Sequence, residues 1–372
     1  STMAQSTAPQ VTWHWHMHQP IYWNDQKNGS PDRYEYAWES IMEKDAGREN
    51  PENNLREIFG KDDRVAAYQF RMRDALGSIG GNHPNSGAVT SYSGALMENV
   101  KSLGDANQLG YSPAWKDPLI QANNWTTSTG APRLDFVEFS FHHALLALHN
   151  EETVRMELLL TREIYKREFG DGAIGQGIFP TEMCFSTRLI PVFAELGIEW
   201  SIVSGEKIAR ATPDFPLVLG SGGVNTSPPN KADQINPNGE VFIRQSIDRG
   251  CSPVNANPLS YQPAYAQYVD PETGEIDKIV VVPADQAAGW NDGYRIINAD
   301  FIDELEARND PNQPSLVLLS HDGDNAFAGG FSYYNQGVPN VANDAVARGG
   351  SATSIQEYLN NFPPDPNKVI HV

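Results

Sequence analysis

Short apolar segments recur along the whole chain, and helical patterns separate several of them. The strand-like segments are 11–15, 136–141, 177–180, 200–203, 279–282 and 316–320. Buried strands that alternate with helices indicate an α/β fold built on a parallel sheet. The chain has 372 residues, and at this length we expect one barrel rather than two doubly wound domains.

Three helical patterns support this α/β interpretation. Segment 151–169 begins with acidic residues and ends with basic ones, as the helix macrodipole favours. Segment 187–196 is followed by Gly197, a residue typical of a helix C-cap. Segment 299–308 is the third helix. Together the patterns predict helices that cover a central sheet.

Two polar segments interrupt the alternation of strands and helices. Segment 23–129 is rich in Asn, Gly and Asp and contains a helical stretch at 62–76, so we interpret it as a long insertion. Segment 206–278 is rich in Pro, Asn and Gly and carries hairpin signals at 238–239 and 273–274. Residues 1–10 are expected to be a polar leader, either a cloning remnant or what stays after a signal peptide is removed. Residues 11–372 then form one catalytic barrel with two insertions.

The charge of the chain limits its partners. The formal net charge is −20, and such a field repels nucleic acid and anionic membrane surfaces. Cys184 and Cys251 have neither metal-site spacing nor a disulfide framework, and no apolar run is long enough to span a bilayer. We therefore expect a protein without cofactor or metal, located in the cytoplasm, with secretion or a periplasmic location as alternatives. The oligomeric state is left open.

The first strand carries an unusual set of side chains in the sequence VTWHWHMHQP. His14, His16 and His18 alternate with bulky apolar residues, so the three imidazoles share one face of a strand. Gln19 and Pro20 follow, and proline ends the strand. This pattern predicts the edge of an active site. The alternative is a buried strand whose histidines bond to backbone carbonyls.

The sequence GIFPTEMCFS places a carboxylate directly after a second apolar strand. Glu182 follows Pro180, at the carboxyl end of the strand, where α/β barrels hold their catalytic residues. Its neighbours are apolar, so we expect partial desolvation to adjust the pKa of this carboxyl. The alternative is an acidic residue that merely stabilises a helix N-terminus.

A third segment, LVLLSHDGDNAFAGG, repeats this arrangement. Four apolar residues precede His321, Asp322, Gly323 and Asp324, so acidic side chains again follow the end of a strand. Two carboxylates at the ends of different strands suggest glycoside hydrolysis, with one nucleophile and one general acid/base roughly 5–5.5 Å apart if configuration is retained. Aromatic residues near the strand ends could stack on sugar rings. They are Trp15, Tyr22, Trp23, Trp290, Tyr294, Phe327, Phe331, Tyr333 and Tyr334.

Four segments in order resemble glycoside hydrolase family 57, which contains α-amylases, amylopullulanases, 4-α-glucanotransferases and glucan branching enzymes. They are HMHQP, VEFSFHHALLAL, GIFPTEMCFS with the following ELGIEWSIVSG, and SHDGDNAF. The closing segment 357–372 resembles the end of the family's barrel. The resemblance implies that Glu182 is the nucleophile and Asp322 the general acid/base, with Asp324 as an alternative acid. It also implies a substrate-binding set. That set is Trp15, His16, His18, Gln19, Glu138, His143, Trp290, His321, Asp324 and Phe327.

The resemblance further implies the fold and the reaction. The fold is an incomplete (β/α)7 barrel, related to the TIM barrel, with long loop and helical insertions. The reaction is a double displacement on an α-1,4-glucan or an α-1,6-glucan, in which water or a second sugar resolves a glycosyl-enzyme. Family members usually continue into a helical region with a fifth motif. We expect that region to be absent from this chain, which ends at Val372.

Two other functions fit parts of the sequence. A metal-dependent deacetylase or α-mannosidase could use His14, His16, His18, Asp322 and Asp324 as ligands, but Glu182 would then have no role. A glucan-binding homologue without turnover is the second alternative. The presence of both candidate carboxylates argues against it.

Overall fold

A computed structural model describes residues 5–24, 34–48, 54–211, 246–247, 252–255, 257–325 and 330–372. Within these ranges one sheet contains the strands β1 (Gln10–Met17), β4 (Ala88–Tyr92), β5 (Leu134–Glu138), β6 (Ile174–Ile178), β7 (Trp200–Ser204), β10 (Ala264–Val269), β11 (Ile276–Ala284), β12 (Leu316–Asp322) and β13 (Ser351–Ala352). Seven of these strands are parallel and lie in the order β12-β1-β4-β5-β6-β7-β11. β10 pairs antiparallel with β11, and β13 pairs with β1. Two small ribbons pair β2 (Trp23–Asn24) with β3 (Tyr34–Glu35) and β8 (Ser246–Ile247) with β9 (Val254–Asn255).

The sheet curls into an incomplete barrel. Its two outermost parallel strands, β11 and β12, form no ladder in the described part of the chain, although the Asp285 backbone N–H donates to Leu318 O at 3.0 Å. The architecture predicted from the sequence, an α/β fold with an incomplete seven-stranded barrel, is therefore confirmed.

Helices cover the outside of this barrel. In the described ranges the α-helices are α1 (Ala37–Asp45), α2 (Leu55–Gly60), α3 (Asp62–Ala66), α4 (Met72–Ile79), α5 (Gly94–Asp105), α6 (Asp117–Asn124), α7 (Glu151–Phe169), α8 (Ile190–Glu195), α9 (Gly205–Arg210), α10 (Gln286–Gly293), α11 (Phe301–Glu306), α12 (Val338–Ala347) and α13 (Ile355–Asn361). The longest, α7, begins after Asn150, whose side chain accepts a hydrogen bond from the Thr153 N–H, and ends at Gly170 with φ 101°. No helix of the described residues is long and apolar enough to cross a bilayer.

Alternation along each strand separates the two faces of the sheet. On β1, Trp13 and Trp15 pack outward with the helices, whereas His14 and His16 face the barrel interior with Phe179. On β12, Leu316 and Leu318 belong to the interior cluster. The interior is tightly filled. A Cβ at Gly177 would lie 2.2 Å from the Trp200 ring, so only glycine fits there.

The amino-terminal end of the barrel is closed by α13. Ile355, Tyr358 and Leu359 pack into the interior cluster, and the Tyr358 hydroxyl donates to Pro314 O at 2.6 Å. Glu357 on this helix accepts hydrogen bonds from Thr127 and Ser128. This end is therefore sealed, so the carboxyl ends of the strands are the edge available to a site.

The sequence interpretation missed one barrel strand. β4 lies inside segment 23–129, which the sequence favoured as a single insertion. Its residues AVTSY lack an apolar run because Ser91 points into a polar part of the barrel interior, where it bonds two histidines. Much of the second predicted insertion, 212–245, and the hairpin signal at 238–239 lie outside the described residues.

Candidate active site

Five predicted side chains meet at the carboxyl edge of the barrel, and we call them the acid–histidine cluster. They are His16, His18, His143, Glu182 and Asp322. The His18 and His143 rings stack with centroids 4.0 Å apart, and His16 lies 5.3 Å from His143. His143 Nε2 is 3.6 Å from Glu182 Oε1.

The two predicted catalytic carboxylates act on the same imidazole. Burial lowers the pKa of His143, and the negative charges of Glu182 and Asp322 both oppose that shift. Asp322 ends β12 and lies opposite His16 in the parallel ladder with β1. The fold therefore brings Glu182 and Asp322, 140 positions apart in the sequence, to one edge of the sheet.

Glu182 sits on a strained turn. Its φ is 58° and that of Met183 is 53°, a left-handed conformation uncommon for residues other than glycine. His143, which it faces, also has a positive φ of 60°. Strain of this kind persists only where surrounding structure enforces it, and it clusters at functional sites. The carboxylate is 68% exposed, so the partial desolvation expected from its apolar neighbours is not observed.

Asp324 differs sharply from Asp322. Asp322 is exposed and accepts a hydrogen bond from Asn325 Nδ2 at 3.1 Å. Asp324 is buried and accepts from the Tyr68 hydroxyl at 2.6 Å and from the His18 N–H at 3.4 Å. Burial raises the pKa of Asp324 to about 7. Asp324 thus accepts a hydrogen bond from the backbone of His18 inside the protein. Asp322 is the acid that is exposed to a ligand.

The histidines of β1 are held by serines. His14 bonds Ser320 and Ser91 through its two ring nitrogens, and His18 Nδ1 lies 2.6 Å from Ser93 Oγ. Burial lowers the pKa of both His14 and His18 to about 3, so the site holds neutral imidazoles at neutral pH. The sequence did not single out Ser91 or Ser93. Ser91 lies in β4 and Ser93 directly after it, and their spacing of two, which matches that of the histidines, was the available signal.

Three residues of the predicted substrate-binding set lie away from the cluster, on the outer face of the sheet. Trp15 is fully buried and donates from its indole N–H to the Tyr333 hydroxyl. His321 Nε2 lies 2.8 Å from Asp292 Oδ2, also outside the barrel. Glu138 pairs with Arg162 on α7. Each stands at the opposite parity along its strand to the inward-facing residues, so its side chain lies on the outer face of the sheet.

The remaining predicted site residues lie around the mouth of the barrel or outside the described part. Gln19 follows His18 and accepts a hydrogen bond from the Tyr22 hydroxyl at 2.6 Å. Trp290 is 65% exposed on α10, one turn after Gln286, whose amide contacts the Met183 sulfur at 3.7 Å. Trp290 therefore shares a helix face with a residue that touches the Glu182 turn. Phe327 lies outside the described residues.

The separation of Glu138 from the cluster makes a measurable prediction. Glu138→Gln should lower the free energy of unfolding by about 1.5–3 kcal/mol, because a charge-assisted hydrogen bond to Arg162 is lost in a buried place. The value of kcat/KM should change by less than about threefold, which corresponds to a change of about 0.6 kcal/mol in activation free energy. Urea unfolding and steady-state kinetics on one sample measure both quantities. A large rise in KM without loss of stability would instead indicate that Glu138 binds the substrate.

The described residues offer no arrangement of three or more His, Cys, Asp and Glu side chains suited to a metal ion. The metal-dependent alternative includes His14 among its candidate ligands. Both ring nitrogens of His14 are already bonded to serine hydroxyls at 2.7 and 2.8 Å. In this arrangement neither ring nitrogen of His14 is free to coordinate a metal ion.

Comparisons with known proteins agree with this fold. The model of the glycosyl hydrolase family 57 matches residues 12–341. An α-amylase from Niallia circulans is 30% identical over an alignment of 394 positions. The alignment covers 96% of this chain and 30% of that protein. The chain thus spans about a third of the length of this relative.

Solved structures show the same fold at low sequence identity. A 4-α-glucanotransferase from Thermococcus litoralis superposes with a TM-score of 0.57 at 15% identity, covering 96% of this chain and 41% of that one. A branching enzyme from Pyrococcus horikoshii gives a TM-score of 0.55 at 11% identity, covering 96% of this chain and 71% of that one.

Proposed function

This chain belongs to glycosyl hydrolase family 57, and from that premise we propose that it acts on α-glucans as a retaining hydrolase or glucanotransferase. The observation that carries the proposal is the pair of carboxylates, Glu182 and Asp322, whose charges act on one imidazole at the open edge of the barrel. The glucan assignment is supported by the names of similar proteins, an α-amylase and a 4-α-glucanotransferase.

In the first step Glu182 attacks the anomeric carbon of the bound sugar. The C–O bond to the leaving sugar breaks, and Asp322 transfers its proton to the departing oxygen. In the second step Asp322, now ionised, takes a proton from water or from a sugar hydroxyl. The resulting oxygen displaces Glu182 and restores the starting configuration. Transfer dominates when an acceptor sugar reaches the glycosyl-enzyme before water does.

The surroundings of the two carboxylates suit these roles. Glu182 stands on a turn with left-handed backbone conformation and is accessible, as a nucleophile must be. The neutral imidazoles of His18 and His143 can form hydrogen bonds with a sugar, and they add no positive charge that would pair with the Glu182 carboxylate. The exposed Trp290 offers an apolar face on which a sugar unit farther along the chain can stack.

Product analysis tests this proposal directly. The protein is incubated with maltooligosaccharides, amylose and pullulan, and the products are resolved by chain length and linkage. We expect α-1,4 products, and proton NMR should show the α-anomer as the first product formed. Absence of any new product from all three substrates, with the protein folded, would contradict the enzymatic assignment. A first-formed β-anomer would contradict retention.

His18 is expected to bind the sugar next to the cleavage point. His18→Ala removes the ring that stacks on His143, so the dissociation constant for a short maltooligosaccharide should rise about 3- to 10-fold, the effect of one lost hydrogen bond. Isothermal titration in a Glu182→Gln background avoids turnover during the measurement. His371→Ala near the carboxyl terminus, an exposed histidine, is the matched control. Unchanged affinity in His18→Ala would remove this residue from the subsite.

A further inference from the structure

A chain of hydrogen bonds runs through the barrel interior beneath the acid–histidine cluster. Ser320 Oγ lies 2.7 Å from His14 Nδ1, and His14 Nε2 lies 2.8 Å from Ser91 Oγ. Ser91 Oγ in turn lies 2.7 Å from His16 Nδ1. We call these four residues the histidine–serine chain. All four are buried, and they come from three neighbouring strands.

The histidine–serine chain ends on an unused atom. His16 Nε2 is buried and has no hydrogen-bond partner among the described residues. The His16 ring packs against the rings of Phe139, Phe179 and His143. A buried polar atom without a partner is costly, and in a native site it indicates a bond made to a ligand or to water.

The Ser91 hydroxyl couples the tautomers of the two histidines. A hydroxyl has one proton, and among the described side chains Ser91 Oγ contacts one nitrogen of His14 and one nitrogen of His16. Both imidazoles are neutral because burial lowers their pKa values. Both contacts and the hydroxyl proton are satisfied together when Ser91 donates to one ring and accepts from the other. Either His16 carries its proton on Nε2 and His14 does as well, or both carry it on Nδ1.

Ser320 favours the first arrangement. If Ser320 donates to His14 Nδ1, then His14 donates to Ser91 and Ser91 donates to His16, so every proton of the chain is used except the one on His16 Nε2. In the reverse arrangement both the Ser320 proton and the His16 Nε2 lone pair lack partners. The first arrangement leaves fewer buried groups unsatisfied, and bonds aligned in one direction polarise each other favourably.

We propose that the histidine–serine chain fixes His16 as the Nε2–H tautomer, so that His16 donates a hydrogen bond to an oxygen of the glucan unit held at the acid–histidine cluster. Ser91 is the positioning residue, because among the described residues it is the one that bridges both rings. The ligand in this inference rests on the proposed function. The tautomer does not, because it follows from hydrogen-bond geometry within the chain.

The tautomer is measured by long-range proton–nitrogen NMR on the full protein labelled with ¹⁵N-histidine, without ligand at neutral pH. We expect His14 and His16 both to be protonated on Nε2, with His16 assigned from the signal lost in His16→Asn. Ser91→Ala should turn the His16 signal into that of a mixed or reversed tautomer. Ser91→Thr keeps the hydroxyl and should restore the original pattern. Protonation of His16 on Nδ1 in the unsubstituted protein would overturn the proposal, whether or not Ser91→Ala folds.

A second readout tests the bond to the sugar. Ser91→Ala should weaken maltooligosaccharide binding about 3- to 10-fold, the effect of one hydrogen bond, and Ser91→Thr should recover most of it. Thr90→Val is the matched control, because Thr90 is equally buried on the same strand but donates to Trp15 O on the other face. Its histidine spectrum and its affinity should not change. Equal losses of affinity in Ser91→Ala and Thr90→Val would reduce Ser91 to a packing residue.

The two readouts separate this inference from the proposed function. A fixed Nε2–H tautomer in a protein that binds no glucan would support the hydrogen-bond chain and contradict the proposed substrate. Glucan cleavage with a His16 that is protonated on Nδ1 would support the enzyme and contradict the inference.

Discussion

Glu182→Gln is expected to lower kcat on maltooligosaccharides by at least about 10³-fold, because removal of a nucleophile eliminates an interaction made only in the transition state. Binding should remain within about threefold, since glutamine keeps the shape of the side chain and its contact with His143. Single-turnover kinetics and isothermal titration measure the two effects separately. Glu272→Gln, an exposed glutamate in the β10–β11 turn, is the matched control and should behave as the unsubstituted protein.

The role of Glu182 as nucleophile, rather than as a merely necessary acid, can be tested chemically. In Glu182→Ala the missing carboxylate leaves space for azide, which should restore turnover of an activated α-glucoside. The product should be a glycosyl azide of inverted configuration, because azide attacks in place of Glu182 in a single displacement. A glycosyl azide of retained configuration would assign the nucleophile to another residue.

Asp322→Asn is expected to slow cleavage of natural glucans by about 10²- to 10⁴-fold, the usual contribution of a general acid. Aryl glycosides with acidic leaving groups should lose much less in the first step, because their oxygen needs little protonation. A plot of rate against leaving-group pKa should be steep for Asp322→Asn and shallow for the unsubstituted protein. Asp171→Asn, an exposed aspartate, is the control.

Asp324→Asn distinguishes the two acids of the SHDGD segment. Asp324 is buried against Tyr68 and the backbone of His18, so its loss should affect all substrates alike, through misplacement of His18. If Asp324→Asn showed the steep leaving-group dependence and Asp322→Asn did not, the general acid would be Asp324. Equal sensitivity of aryl glycosides and glucans to Asp322→Asn would likewise remove the acid role from Asp322.

Much of the fold could be predicted because buried parallel strands have a clear signal. The apolar segments at 200–203, 279–282 and 316–320 correspond to β7, β11 and β12, and the amphipathic pattern at 151–169 matches α7 in full. The strand β4 was missed because Ser91 within it and Ser93 directly after it bond histidines instead of filling an apolar core. A strand that serves a polar site loses the pattern by which strands are recognised.

Some of the candidate site residues face the barrel interior and others face outward, and the alternation of side chains along each strand explains this difference. Alternation placed His14, His16 and His18 on one face, and that prediction agrees with the inward positions of all three rings. The same alternation excludes Trp15, between His14 and His16, and it excludes His321, next to Asp322. A motif gives the residues in order, whereas their direction depends on which face of the strand meets the barrel interior.

The order of apolar strands and helices, together with the acids and imidazoles at the strand ends, determined the fold class and the candidate chemistry from the sequence alone. These features are local, and their period and position can be read along one segment. Only the tertiary structure decided that Glu182 and Asp322 meet at His143, that Glu138 pairs with Arg162 of α7, and that Ser91 links two histidines. Each of these facts joins residues distant in sequence, and curvature of the sheet, which no local pattern encodes, sets which of them come into contact.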